Sequence, residues 1–137
     1  MLTLDQALEL IAAARAEAEG IGVPMSFAVT DPGGHVLAVA RMDGAPWITP
    51  EVAQGKAWTS VAFRVPTDVQ KTRMESMPNF VSALTTMTGG RYTPQTGAVP
   101  VHADGALVGA IGAAGGSGAQ DEAACAAAVT ACGYSVD

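Results

Sequence analysis

The chain is short of charge, of aromatic rings and of cysteine, and each shortage narrows what it can be. Charged residues make up 15% of its 137 positions, and seven Lys and Arg stand against thirteen Asp and Glu, a formal net charge of -6. Neutralising a phosphate backbone needs clustered cations, so nucleic acid is not an expected partner. No apolar run approaches the roughly 20 residues of a membrane span. Met1 is followed at once by a helix start containing Asp5 and Glu9, where a signal peptide would carry a basic region and an apolar run, and a cytoplasmic location is therefore expected. The two cysteines, Cys125 and Cys132, lie seven apart in one predicted helix. Their Cα atoms would be about 10.5 Å apart, too far for a disulfide, and they read as buried thiols. There is no G-x-S-x-G, and neither cysteine has a histidine close in sequence, so nucleophilic catalysis finds little support. No set of ligands falls at metal spacing, and no metal site is expected.

What the chain has in quantity is small and apolar residues: apolar types make up 49% and glycine accounts for 16 positions. That composition is of a folded globular protein, long enough for one domain spanning 1–137. Thr3 and Gln6 form a T-x-x-Q capping box ahead of Leu4, Ala7, Leu8, Ile11 and Ala14 at helical spacing, which predicts a helix over Thr3–Glu19 closed by Gly20 and Gly22. Met25 to Thr30 alternates as a strand, turns through Asp31-Pro32-Gly33-Gly34, and returns with His35, Leu37, Val39 and Arg41 expected on one face and Val36, Ala38 and Ala40 on the other. Thr49 is expected to cap a helix with Pro50 at its first position and Glu51 in its first turn, running to about Arg64, and Pro66 precedes a short helical segment through about Met74. Asn79 to Gln95 mixes turn residues without a sustained period and reads as a loop, either covering a pocket or simply connecting. Ala98–Ala103 and Ala106–Ala113 form a second hairpin around Asp104-Gly105. An Ala-rich helix over 119–132 and a short strand at Tyr134 to Val136 complete an α+β sandwich with a mainly antiparallel sheet.

The hairpin DPGGHVLAVARMDGA, the helix EVAQGKAWTSVAFRVPT and the segment VPVHADGALVGAIGAAGG, with their R-M-D-G, K-A-x-T and P-x-x-x-D-G-x-x-x-G-A-I-G spacings, together resemble the GlcG/HbpS-like, haem-degrading-domain-like family over nearly the whole chain. The resemblance implies a profilin-like α/β/α sandwich with a five-stranded sheet and assembly from dimers up to octamers. It also implies a ligand, since some members bind haem and a related domain is attached to corrinoid adenosyltransferases. Family members carry P-G-G-x-P where this chain has Thr96-Gly97-Ala98-Val99-Pro100, and V-S-G-G where it has Ala113-Ala114-Gly115-Gly116. Both changes fall near the expected ligand face and leave room for a different small molecule.

Lys56 and Arg64, two turns apart on one helix, are candidates to hold carboxylates along a shared margin, with Trp47, Phe63, Tyr92 and Thr59 beside them. Trp58 lies near the same cations. His35 and His102 sit next to turns, and His102 is a candidate proton-transfer group, with Arg41 or Lys56 to stabilise an oxyanion. Solvated cations and hydrogen-bonding histidines are the plain alternative for each. Two readings follow. One is a binding protein for haem or another planar anionic molecule. The other is a cofactor-independent enzyme acting on a small organic acid or a biosynthetic intermediate, with His102 or a carboxylate, Asp43 or Glu75, moving a proton and Arg41 or Lys56 stabilising the anion.

Overall fold

The computed structural model describes residues 1–137, in the order α1 (Leu4–Ile21), β1 (Ser26–Thr30), β2 (Val36–Arg41), α2 (Thr49–Phe63), α3 (Thr67–Met74), α4 (Pro78–Met87), β3 (Ala98–Ala103), β4 (Ala106–Ala114) and α5 (Gly118–Ala131). The strands form one antiparallel sheet of four, ordered β2-β1-β4-β3. The expected fifth strand is reduced to a single bridge. Ser135 and His102 exchange backbone hydrogen bonds of 2.7 and 3.0 Å, an antiparallel bridge that stands alone beside the edge of β3.

Local chemistry sets most boundaries. Thr3 accepts from the Gln6 N–H while the Gln6 side chain accepts from Thr3, and Gly22 closes α1 with φ 67°. The same reciprocal box recurs at Ser117 and Gln120, so α5 starts one residue before the predicted Ala119. Asp104 and Gly105, with φ of 52° and 78°, make the two-residue turn whose positive φ values match strand twist. Pro100 is tolerated because β3 is an edge strand.

The two faces of the sheet differ in the size of what they bury. On one face α1 and α5 pack Leu10, Ile11 and Val129 against Phe27, Val29 and Ile111. On the other, α2 lies close enough for Ala53 and Ala57 to meet Ala28 and Ala114. A Cβ on Gly112 would come within 2.5 Å of the Ala53 carbonyl oxygen and 2.8 Å of the Ala57 nitrogen, so glycine is required where helix and strand touch.

The first hairpin departs from simple alternation. Val36 pairs with Thr30 but Ala38 pairs with Val29, which makes Leu37 an extra residue in a β-bulge. Opposed residues share a face. Val36, Val39 and Arg41 therefore lie with Thr30, Ala28 and Ser26 on the α2 side, while Ala38 and Ala40 join Val29 and Phe27. Val36 is thus separated from the face expected for it, and it comes to line a cavity beside α2.

Candidate functional site

Lys56 is the clearest departure from a cleft of convergent cations. Its side chain is 7% exposed, and Nζ lies 3.1 Å from Asp121 Oδ2 and 3.1 Å from the Ala113 carbonyl oxygen. Asp121, 2% exposed, also accepts from the Gly116 N–H at 2.9 Å and sits in the first turn of α5, where the helix dipole favours a carboxylate. The ammonium thus joins α2, the end of β4 and the start of α5 inside the protein. Arg64 is exposed and caps α2 in the left-handed region with φ 58°, so the expected common margin with Lys56 does not form.

Arg41 and His102 are also kept apart. They lie on β2 and β3, the opposite edges of the sheet, roughly 14 Å across at about 4.8 Å per strand. His102 is held by its backbone pairing with Ser135, and its Nδ1 is buried without a partner. Trp47 is 75% exposed in the loop before α2. His102, Arg41 and Lys56 share no cavity.

The remaining predicted residues do assemble, as the mount of a segment read from sequence as a loop. Part of that stretch is helical: α4 begins with Pro78 at its first turn. Beyond α4 the chain is drawn onto α2. The buried Thr59 hydroxyl accepts from the Thr93 N–H at 2.7 Å, and the buried Tyr92 ring meets Phe63 edge-on at 5.5 Å between centroids. Gln70 Nε2 donates to the Tyr92 hydroxyl at 2.8 Å, and Gly55 gives Thr93 the space a side chain would fill. Thr59, Phe63 and Tyr92 are therefore fastenings, and what they position is Arg91.

The Arg91 guanidinium lies 5.8 Å from the centre of the Trp58 ring, with Nε donating to the Thr88 carbonyl at 2.8 Å. That bond fixes the side chain and leaves the two terminal nitrogens of the fork without a protein partner. On its other edge Trp58 packs against the first hairpin. A Cβ on Gly34, whose φ is 83°, would fall 2.8 Å from the indole Cδ1. Between these parts is a cavity of about 240 Å³ lined by Gly34, Val36, Glu51, Gln54, Trp58 and Arg91. Arg91, Glu51 and Gln54 carried no signal in the sequence beyond their types, since the cation–π contact joins residues far apart in the chain.

A further polar pair lies in the turn that supplies Gly34 to the cavity. His35 stands in sequence between the lining residues Gly34 and Val36 without itself lining the cavity; it is 83% exposed, and its Nδ1 lies 3.4 Å from Asp31 Oδ1. Burial raises the Asp31 pKa, but hydrogen bonds from the His35 and Gly33 amides and the nearby imidazole outweigh it and leave the carboxyl below its ordinary value. An ionised carboxylate beside Nδ1 favours the tautomer that leaves Nε2 open to a ligand. No cluster of three metal-binding side chains exists in the structure, and no helix is long and apolar enough to cross a membrane.

Comparison with known proteins agrees with this fold. The family of haem-degrading HbpS-like proteins matches residues 2–130. The chain is 39% identical over 112 residues to Protein GlcG of Escherichia coli K12, covering 82% of this chain and 80% of that one. Among solved structures it is similar to the complex of PduOC with haem, with a TM-score of 0.88 at 27% identity, covering 98% of this chain and 97% of that one. A double mutant of Streptomyces reticuli HbpS gives a TM-score of 0.82 at 34% identity, covering 95% and 86%.

Proposed function

The chain belongs to the HbpS-like family, and from that premise we propose that it is a binding protein for a planar, anionic small molecule seated at the Trp58–Arg91 cavity. The observation that carries this reading is the Arg91 guanidinium. It is oriented by Thr88, lies over Trp58, lines the cavity and has no protein partner at its two terminal nitrogens. An aromatic face next to a fixed fork of donors suits a flat ligand bearing a carboxylate.

Haem is the candidate that the similar structures bring forward. The donor set fits it. His35 offers an imidazole nitrogen backed by Asp31, and Arg91 offers a partner for a propionate. The cavity holds about 240 Å³, below the roughly 300–1,000 Å³ of ordinary ligand sites. One chain alone would therefore enclose only part of a macrocycle. When bound, haem would supply a redox-active iron, and the residues of this chain would hold and orient it.

Titrating the purified protein into haem tests the reading. The expected result is a shifted Soret band that saturates at a fixed stoichiometry, a different band position in His35→Ala, and about tenfold weaker binding in Arg91→Met, the size of one charge-assisted contact. A free-haem spectrum throughout removes haem. Retained affinity in Arg91→Met removes the cavity as its seat.

A further inference from the structure

The same cavity has two charged ends. Glu51 and Arg91 both line it, yet no ion pair joins them, and neither has a salt-bridge partner elsewhere. Glu51, Gln54 and Trp58 form one wall on α2, and from Glu51 to Trp58 the helix rises about 10.5 Å. Arg91 sits over the Trp58 end. Opposite charges therefore stand about two helical turns apart, with an indole beside one and a side-chain amide between them. Gln54 Nε2 donates to the Pro50 carbonyl at 3.1 Å, and its oxygen has no protein donor and is free to accept.

We propose that the cavity selects a small amphoteric planar molecule, with a carboxylate at the Arg91 end and a cationic or N–H donor group at the end of Gln54 and Glu51. This inference rests on reading the cavity as the ligand seat, and it adds a second specificity determinant, Glu51. A ligand with only an anionic group would leave the Glu51 carboxylate facing it uncompensated. One that carries both charges satisfies both ends, and its aromatic body stacks on Trp58.

Three probes sharing one ring separate the contributions: benzoate, benzylamine and para-(aminomethyl)benzoate. Because the chain has two tryptophans, the exposed Trp47 is replaced (Trp47→Phe), so that quenching reports Trp58 alone. The expected order places para-(aminomethyl)benzoate about fivefold tighter than benzoate, the ratio a partly exposed ion pair supplies, with benzylamine weakest. Glu51→Gln brings that ratio to about one, and Glu51→Lys reverses the preference toward the dicarboxylate terephthalate. Equal binding of benzoate and para-(aminomethyl)benzoate overturns the amphoteric preference and leaves a planar-acid site standing. A ratio unchanged in Glu51→Gln overturns the role of Glu51. If no probe quenches Trp58, the amphoteric ligand is excluded, and the haem titration separately decides the parent reading.

Discussion

Replacing Lys56 with Met removes one half of the buried pair that joins α2 to the start of α5. Lys56 Nζ and Asp121 Oδ2 are 3.1 Å apart, in side chains 7% and 2% exposed. Without the ammonium, Asp121 keeps only the Gly116 N–H and the favourable end of the α5 dipole. Breaking a buried pair from one side costs about 3–5 kcal/mol, whereas replacing both partners by apolar groups of similar volume is often neutral or stabilising. Against a total stability of about 5–15 kcal/mol the single loss is severe. For a domain of this length it lowers Tm by roughly 10–20 °C. Denaturant unfolding followed by far-UV circular dichroism measures it. Lys56→Met and Asp121→Leu should each lose several kcal/mol, and the double variant should recover most of the loss. A Lys56→Met variant within about 1 kcal/mol of the parent would refute the buried-pair reasoning. So would a double variant no more stable than the summed singles. Ligand affinity, measured where Lys56→Met is still folded, should be unchanged, and a loss there would return Lys56 to the ligand site.

Glu122→Gln probes a carboxyl that burial, and then the neighbouring Asp68, holds above its ordinary value near 4.5. Because the folded state binds that proton more tightly than the unfolded chain, Glu122 lowers stability as pH rises from its ordinary value through the raised one. The variant should raise Tm at neutral pH, and the gain should vanish on acidification below the ordinary glutamate range. Tyr92→Phe leaves the Gln70 amide, 1% exposed, without its hydroxyl partner. An unfolding cost of about 1–3 kcal/mol is expected, together with weaker ligand binding as the mount of Arg91 loosens. Gly112→Ala drives a methyl into the backbone of α2 and should cost about 1–3 kcal/mol by thermal melt. Gly20→Ala, where nothing lies within 4 Å of the added carbon, should cost nothing measurable.

Features determined by neighbours along the chain were legible. The Thr3–Gln6 box, the Asp104-Gly105 turn and the paired hairpins all rest on interactions within a few residues, and they form where expected; α2 also forms, but Ile48 takes the cap position and Thr49 lies inside the helix, its hydroxyl donating to the Pro46 carbonyl at 2.7 Å. Two local signals were misweighed. The stretch from Asn79 reads as a loop, but Pro78 serves as a helix start, and Phe80, Val81, Leu84 and Met87 supply the apolar stripe of α4, a helix none of whose residues is buried. The extra residue at Leu37 leaves no mark on composition, yet it changes which face Val36 joins. The candidate site was less legible because its bonds span the chain. Lys56 meets a partner 65 positions away, and lysine is so seldom buried that sequence favours the surface.

The difference between the expected cleft and the Trp58–Arg91 cavity has one physical root, the polarity of α2. An ordinary surface helix turns apolar residues inward and polar residues outward, but Thr49, Lys56, Thr59 and Ser60 of α2 are all buried. Each is satisfied by a different part of the chain: Thr49 by Ser26 at 2.8 Å, Lys56 by Asp121, Thr59 by the Thr93 N–H, and Ser60 by the Val65 carbonyl at 2.8 Å. These contacts let a helix of small residues sit against the sheet without leaving buried polar groups unpaired. They also consume the residue types that a search for ligand contacts selects first. What is left unconsumed on α2 is the stripe of Glu51, Gln54 and Trp58, which lines the proposed cavity together with Arg91.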